Sequence, residues 1–274
     1  MEIFFYILSN NIIPIFTLIA LGFLLNKAFN LDIFTLSKIN FYIYVPIFVF
    51  VNLLTTEIDF QLMQALIFGI VMLILNMGIT SIVARLRGYD LGLKSAFKNS
   101  VMFYNSGNIG VPLITLVFSS GPFLINGETP YLALAVTCQV MILVVQNVTT
   151  NTLGFFNAGR AHMDWKQSLI NICKMPTIYA IPLALILKYL AVDMTKAPFW
   201  PAFEFIRQGL ISVALITLGV QLSRTSFNFK DREVYLAVAM RLIGGPILAV
   251  ILLKLFGAQG ILAQALMISS SVPT

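Results

Sequence analysis

The chain has 274 residues and a net charge of +6, yet only 10% of its residues are charged and 59% are hydrophobic, with a mean hydropathy of +0.92. Ordinary soluble domains carry about a quarter charged residues, so this composition excludes them and places the chain in a lipid bilayer. Its basic residues are dispersed through short segments, which excludes a nucleic-acid surface and leaves no nucleic-acid partner.

Apolar runs near the ~20 residues needed to cross hydrocarbon predict spans at 3–25, 39–54, 62–84, 96–118, 132–155, 169–190, 203–222 and 234–256. A ninth starts at 261 and is cut short by the chain end. Glu2 stands where a signal peptide has its basic region, so the first run reads as a true span. Twelve of the 17 Lys and Arg fall between an odd run and the following even one, four lie on the other side, and Arg241 sits inside a run. That asymmetry predicts an external N-terminus, with the loop around Asp59 outside and the loop around His162 cytoplasmic. Cys138 and Cys173 have no metal-ligand spacing and read as small buried apolar residues. His162 reads as a solvated loop residue. No cofactor motif or metal site is expected, and no nucleophile elbow or phosphate loop points to an enzyme.

Prolines suggest an internal repeat. Pro14 and Pro176 are 162 residues apart and Pro112 and Pro273 are 161 apart. Five spans fit that interval, and an odd number of crossings inverts the second copy. In the fourth span Asn105, Gly107, Asn108 and Gly110 precede Pro112; in the ninth Ser269, Ser270 and Ser271 precede Pro273. Each proline deprives the carbonyl four residues earlier of its donor, and the glycines depart from helical geometry cheaply. Paired broken helices in two halves point to a substrate site, and half-helix N-termini suit an anion. Close packing at the glycines and a simple kink at the prolines are the competing readings.

Gln139 and Asn147, eight apart on the fifth span, share a face and are expected to line that site, with Asn76 of the third span added. All eleven acidic residues fall in loops or at run edges. Arg241 has three readings: attraction of an anion, support of the broken ninth helix, or snorkelling to the cytoplasmic interface.

The pattern Asn105, four residues, Gly110, one residue, Pro112-Leu113 resembles the fourth helix of the auxin efflux carrier family. Gln264-Ala265 with Val272-Pro273, and Leu218-Gly219 with Leu222, are similar to its ninth and seventh helices. The resemblance implies an all-α polytopic membrane protein with an inverted repeat of five transmembrane helices (5+5), broken helices 4 and 9 crossing. It divides the chain into a first repeat, 1–155, and an incomplete second, 168–274, truncated in helix 9 and lacking a tenth helix. Helices 1, 2, 6 and 7 are implied as scaffold, with helices 3–5 and 8–9 as the moving domain of an elevator. The implied function is secondary transport of a small organic anion such as a carboxylate, in a bacterial inner (plasma) membrane. A homodimer and a coupling ion, H+ or Na+, stay open. A sodium-coupled symporter of the bile-acid type and a non-transporting membrane sensor are the alternatives.

Overall fold

A computed structural model describes residues 5–6, 8–57, 60–158, 170, 173–226 and 231–274. Asp59 and His162, on which the orientation of two loops is read, lie outside the described residues.

Among the described residues, seven helices are long and apolar enough to cross a membrane: α1 Leu8–Phe29, α2 Ile33–Thr55, α3 Phe60–Leu86, α4 Leu91–Phe118, α5 Leu132–Ala158, α7 Trp200–Arg224 and α8 Arg232–Leu255. Two shorter apolar helices are α6 Pro176–Tyr189 and α9 Gly260–Ser270. No strand occurs among the described residues, only an isolated bridge between Ile125 and Glu128. The chain is an all-α, multi-pass integral membrane protein. Helices suit that solvent because they satisfy every backbone donor and acceptor within one segment.

Asp residues set several helix starts. The side chains of Asp32, Asp90 and Asp231 accept backbone N–H bonds at the first turns of α2, α4 and α8. A hydrogen bond from the Thr35 hydroxyl, 2.6 Å away, holds the Asp32 carboxyl below the usual carboxylate range. These caps explain why acids cluster at span edges. They also lengthen α4 back to Leu91, so Lys98 is a helix residue only 8% exposed and not a loop cation. Within the sixth predicted span, Pro176 occupies the first turn of α6, whose 14 residues extend about 21 Å. Cys138 is buried, whereas Cys173, standing before that proline, is exposed, contrary to expectation.

The described helices contain five π-helical turns, and four of them end two residues before a proline. These are Leu8–Ile12 before Pro14, Asn40–Tyr44 before Pro46, Ser106–Gly110 before Pro112, and Met240–Gly244 before Pro246. The fifth is Thr150–Gly154 in α5. Proline offers no N–H and its ring crowds the carbonyl four residues back. The residue before it reaches one position further instead, as Val45 N–H does to Asn40 O and Gly245 N–H to Met240 O.

The chain divides into two compact units. Unit 1 comprises Met1–Ile58, Gly107–Thr137 and Met175–Phe227; unit 2 comprises Asp59–Ser106, Cys138–Lys174 and Asn228–Thr274. In unit 1, α1 packs on α7 and α2 on α6. Arg224, ending α7, donates to Leu31 O beyond the end of α1, and Asn26 Nδ2 meets Ser223 Oγ at 2.5 Å. Lys188, near the end of α6, donates to the carbonyls of Leu53, Leu54 and Thr56 at the end of α2. Each cation sits where a helix C-terminus leaves carbonyls unpaired. In unit 2, α3 packs against the first half of α4 and against α8, with Phe68 edge-on to Phe256. Tyr89 donates to Glu233, which also pairs with Arg87 at 3.6 Å.

Candidate functional site

The fourth helix is broken, but not where its glycines lie. Its first half, α4a, runs Leu91–Met102, and its second, α4b, runs Val111–Phe118. Phe103, Tyr104 and Asn105 between them are not helical, and Phe103 is extended at φ −105°, ψ 134°. Gly107 and Gly110 stand in the following π turn, and Gly110 has ordinary helical angles. Pro112 occupies the first turn of α4b, directly after that π turn. The break is therefore one turn earlier than the breakers suggest. Pro273 likewise does not break α9, which ends at Ser270; Ser269 O instead accepts from Val272 N–H at 3.3 Å.

Three freed backbone groups in the unit 2 part of the break have partners. Asn105 N–H donates to Pro273 O at 2.9 Å, so the break of α4 meets the end of α9 by a main-chain bond. Tyr104 N–H donates to Gln146 Oε1 at 3.3 Å, and Ser106 O accepts from Gln139 Nε2 at 2.8 Å. Gln139 and Gln146 are seven apart, two turns of α5, and both are nearly inaccessible. This is how irregular backbone survives at membrane depth. Gln146 thus takes the place expected of Asn147, whose Nδ2 is buried without a partner. The seven-residue spacing of two glutamines opposite a run interrupted by Asn105, Gly107, Gly110 and Pro112 was the available signal.

Arg241 lies in the π turn of α8 and is 1% exposed. Nε donates to Val272 O at 2.9 Å and Nη2 to Ser270 O at 3.0 Å, while Cζ stands 3.8 Å over the Tyr104 ring. Snorkelling is excluded by that burial, and the guanidinium caps the end of α9. No salt bridge among the described residues involves it. Gly245 permits the arrangement, because a Cβ there would fall 2.8 Å from Ser270 O.

The remaining predicted residues are less directly engaged. Ser269 and Ser270 are buried, but Ser270 and Ser271 bond their hydroxyls back to Leu266 O and Met267 O. Asn76 is 3% exposed in α3, with Nδ2 unpartnered.

Unit 1 holds Gly107, Asn108, Gly110 and Pro112. Asn108 Oδ1 accepts from Asn40 Nδ2 of α2 at 3.0 Å, beside a cavity of 440 Å³. Asn40, absent from the sequence-based site, occupies the π turn before Pro46. Asn11, in the π turn before Pro14, accepts from Ser120 at 2.9 Å. A polar residue three to six positions before a proline was the signal that both shared with Asn108 and Arg241.

No protein-family model matches the chain, and no curated protein matches it.

Proposed function

We propose that this membrane protein is a secondary carrier for a small organic anion, of the auxin efflux carrier type, working by an elevator mechanism. The observation that carries the reading is Arg241: a guanidinium buried within a span, without a carboxylate partner among the described residues, beside a helix break. Charges at membrane depth are costly and serve sites or pathways. An anion arriving at Tyr104 and Asn105 meets that positive field in a medium of low dielectric. Asn105 adds an amide whose backbone N–H already anchors the break.

Two further observations support the reading. In an inverted five-helix repeat, helix 1 corresponds to helix 6 and helix 2 to helix 7, so the pair α1·α7 maps onto α6·α2. Both pairs pack closely in unit 1, each tied at its helix ends by a cation. Scaffold helices α1, α2, α6 and α7 fall in one unit, and α3, α8 and α9 in the other. A sodium-coupled variant is favoured by Gln139 Oε1, a buried acceptor without a partner; dependence of uptake on a sodium gradient in proteoliposomes separates the two.

Titration of the purified protein with succinate and with its neutral diamide tests the anion reading. Succinate is expected to bind at least about tenfold more tightly, the worth of one charge-assisted hydrogen bond. Asn105→Ala keeps the N–H that bonds Pro273 and should lose affinity by about tenfold without unfolding. Equal binding of acid and diamide removes the electrostatic argument.

A further inference from the structure

Four of the five π turns end two residues before a proline, at Pro14, Pro46, Pro112 and Pro246, whereas the fifth, Thr150–Gly154 of α5, has Phe156 in that place. A proline there lacks the N–H that α-helix would pair with the carbonyl four residues back. Phe156 keeps its N–H, so this turn alone can tighten by bonding it to the carbonyl of Thr152. Asn151 and Thr152 bond back to the carbonyls of Asn147 and Val148, which lowers the cost of leaving α geometry.

A side chain does the work that proline does elsewhere. Asn99 of α4a donates from Nδ2 to Gly154 O at 2.9 Å, and its Oδ1 accepts from Asn157 Nδ2 at 3.1 Å. Its own carbonyl accepts from Phe103 N–H at the end of α4a. The Phe103 ring lies against Gly154, where a Cβ would stand 3.1 Å from Cε2. Asn99 thus ties the turn of α5 to the first residue of the break in α4. The end of α5 also has room to move, because Asn157 and Ala158 border a cavity of 350 Å³. Tightening the turn by one residue rotates them about 100° around the axis.

We propose that Thr150–Gly154 is a switchable joint in α5, held in its wide form by Asn99, and that its state governs how firmly the break at Phe103–Asn105 is clamped. The joint stands apart from the carrier reading and depends on no cargo.

Hydrogen exchange of the purified full chain, resolved to single amides, tests this. Asn99→Leu removes both side-chain bonds and should speed exchange at Gly154 and Asn157 about tenfold. Tyr104, next to Phe103 and bonded to Gln146 Oε1 of α5, should follow, while Asn105, anchored on Pro273 O, should not. Asn40→Leu is the control: it breaks the bond to Asn108 but leaves Pro46, so exchange within Asn40–Tyr44 should change by less than about twofold. Phe156→Pro supplies the missing proline at a residue that is 48% exposed. Added to Asn99→Leu, it should return exchange at Gly154 and Asn157 to that of the parent. Failure of that rescue, equal loosening of Asn40–Tyr44 by Asn40→Leu, or unchanged exchange at Tyr104 in Asn99→Leu overturns the proposal. If Asn99→Leu does not fold, Phe156→Pro alone decides: it should slow exchange at Gly154 below that of the parent, and no change there overturns the proposal.

Discussion

Gly22 of α1 and Gly219 of α7 show what a single missing methyl permits. A Cβ on Gly22 would lie 2.1 Å from Ile216 O, and one on Gly219 would lie 2.0 Å from Ile19 O. Each glycine therefore admits the other helix's backbone, as small residues do where membrane helices approach closely. Gly219→Ala should force the pair apart and lower the melting temperature, at an overpacking cost of about 1–3 kcal/mol or more. Gly78→Ala is the control. Nothing lies within 4 Å of a Cβ there, so the same change should be neutral or stabilising by up to about 1 kcal/mol. Thermal unfolding of both variants checks this; equal melting would mean that the α1·α7 contact yields easily. The resemblance to a carrier motif pointed to Leu218-Gly219, but only the approach of α1 gives the glycine its reason.

The π turns carry much of the polar structure at the level of the helix. Asn11, Asn40, Asn108 and Arg241 all occupy such turns, and each side chain bonds outside its own helix. A wider turn rotates the residues that follow it and lets a polar side chain leave the regular stripe. Pro112→Ala restores an N–H for the carbonyl of Asn108 and should let Ser106–Gly110 tighten into α-helix. The register then moves by one residue, about 100° around the axis, which carries Asn108 away from Asn40. Under the proposed carrier function, transport should fall while stability holds. Because the break at Phe103–Asn105 is held by Gln146, Gln139 and Pro273 O, the Asn105 amide should stay as protected from hydrogen exchange as in the parent. Rapid exchange at Asn105 in this variant would show that the proline, and not the crossing, holds the chain open.

At the scale of the whole chain the open matter is orientation, for which the distribution of Lys and Arg predicts an external N-terminus. Cys173 is a native probe, being exposed, while Cys138 is buried. It lies between α5 and α6, on the side predicted to be cytoplasmic. In intact cells an impermeant thiol reagent should leave the unsubstituted protein unlabelled until the membrane is permeabilised. Glu128→Cys, in the loop between α4 and α5, should label at once. The reverse pattern inverts the topology and moves the cavity of unit 1 to the opposite face.

Seven of the nine expected spans are helices long enough to cross among the described residues, and these were legible in the sequence because hydrocarbon demands a long apolar run for each crossing whatever packs beside it. So was the presence of a break in α4, since Asn, Gly and Pro in such a run have few other uses. Its position was not: Pro112 marks where the second half-helix starts, and the unwound residues are ones that neighbours compel, with Gln139, Gln146 and Pro273 O bonding the freed groups. Arg241 was visible as an anomaly, yet its role depended on which carbonyls lay within reach. Asn40 and Asn108 are 68 residues apart in the chain, and no local pattern relates them. Solvent acts on every residue alike and leaves a periodic trace in composition, whereas a hydrogen bond between distant helices is decided only when the fold brings them together.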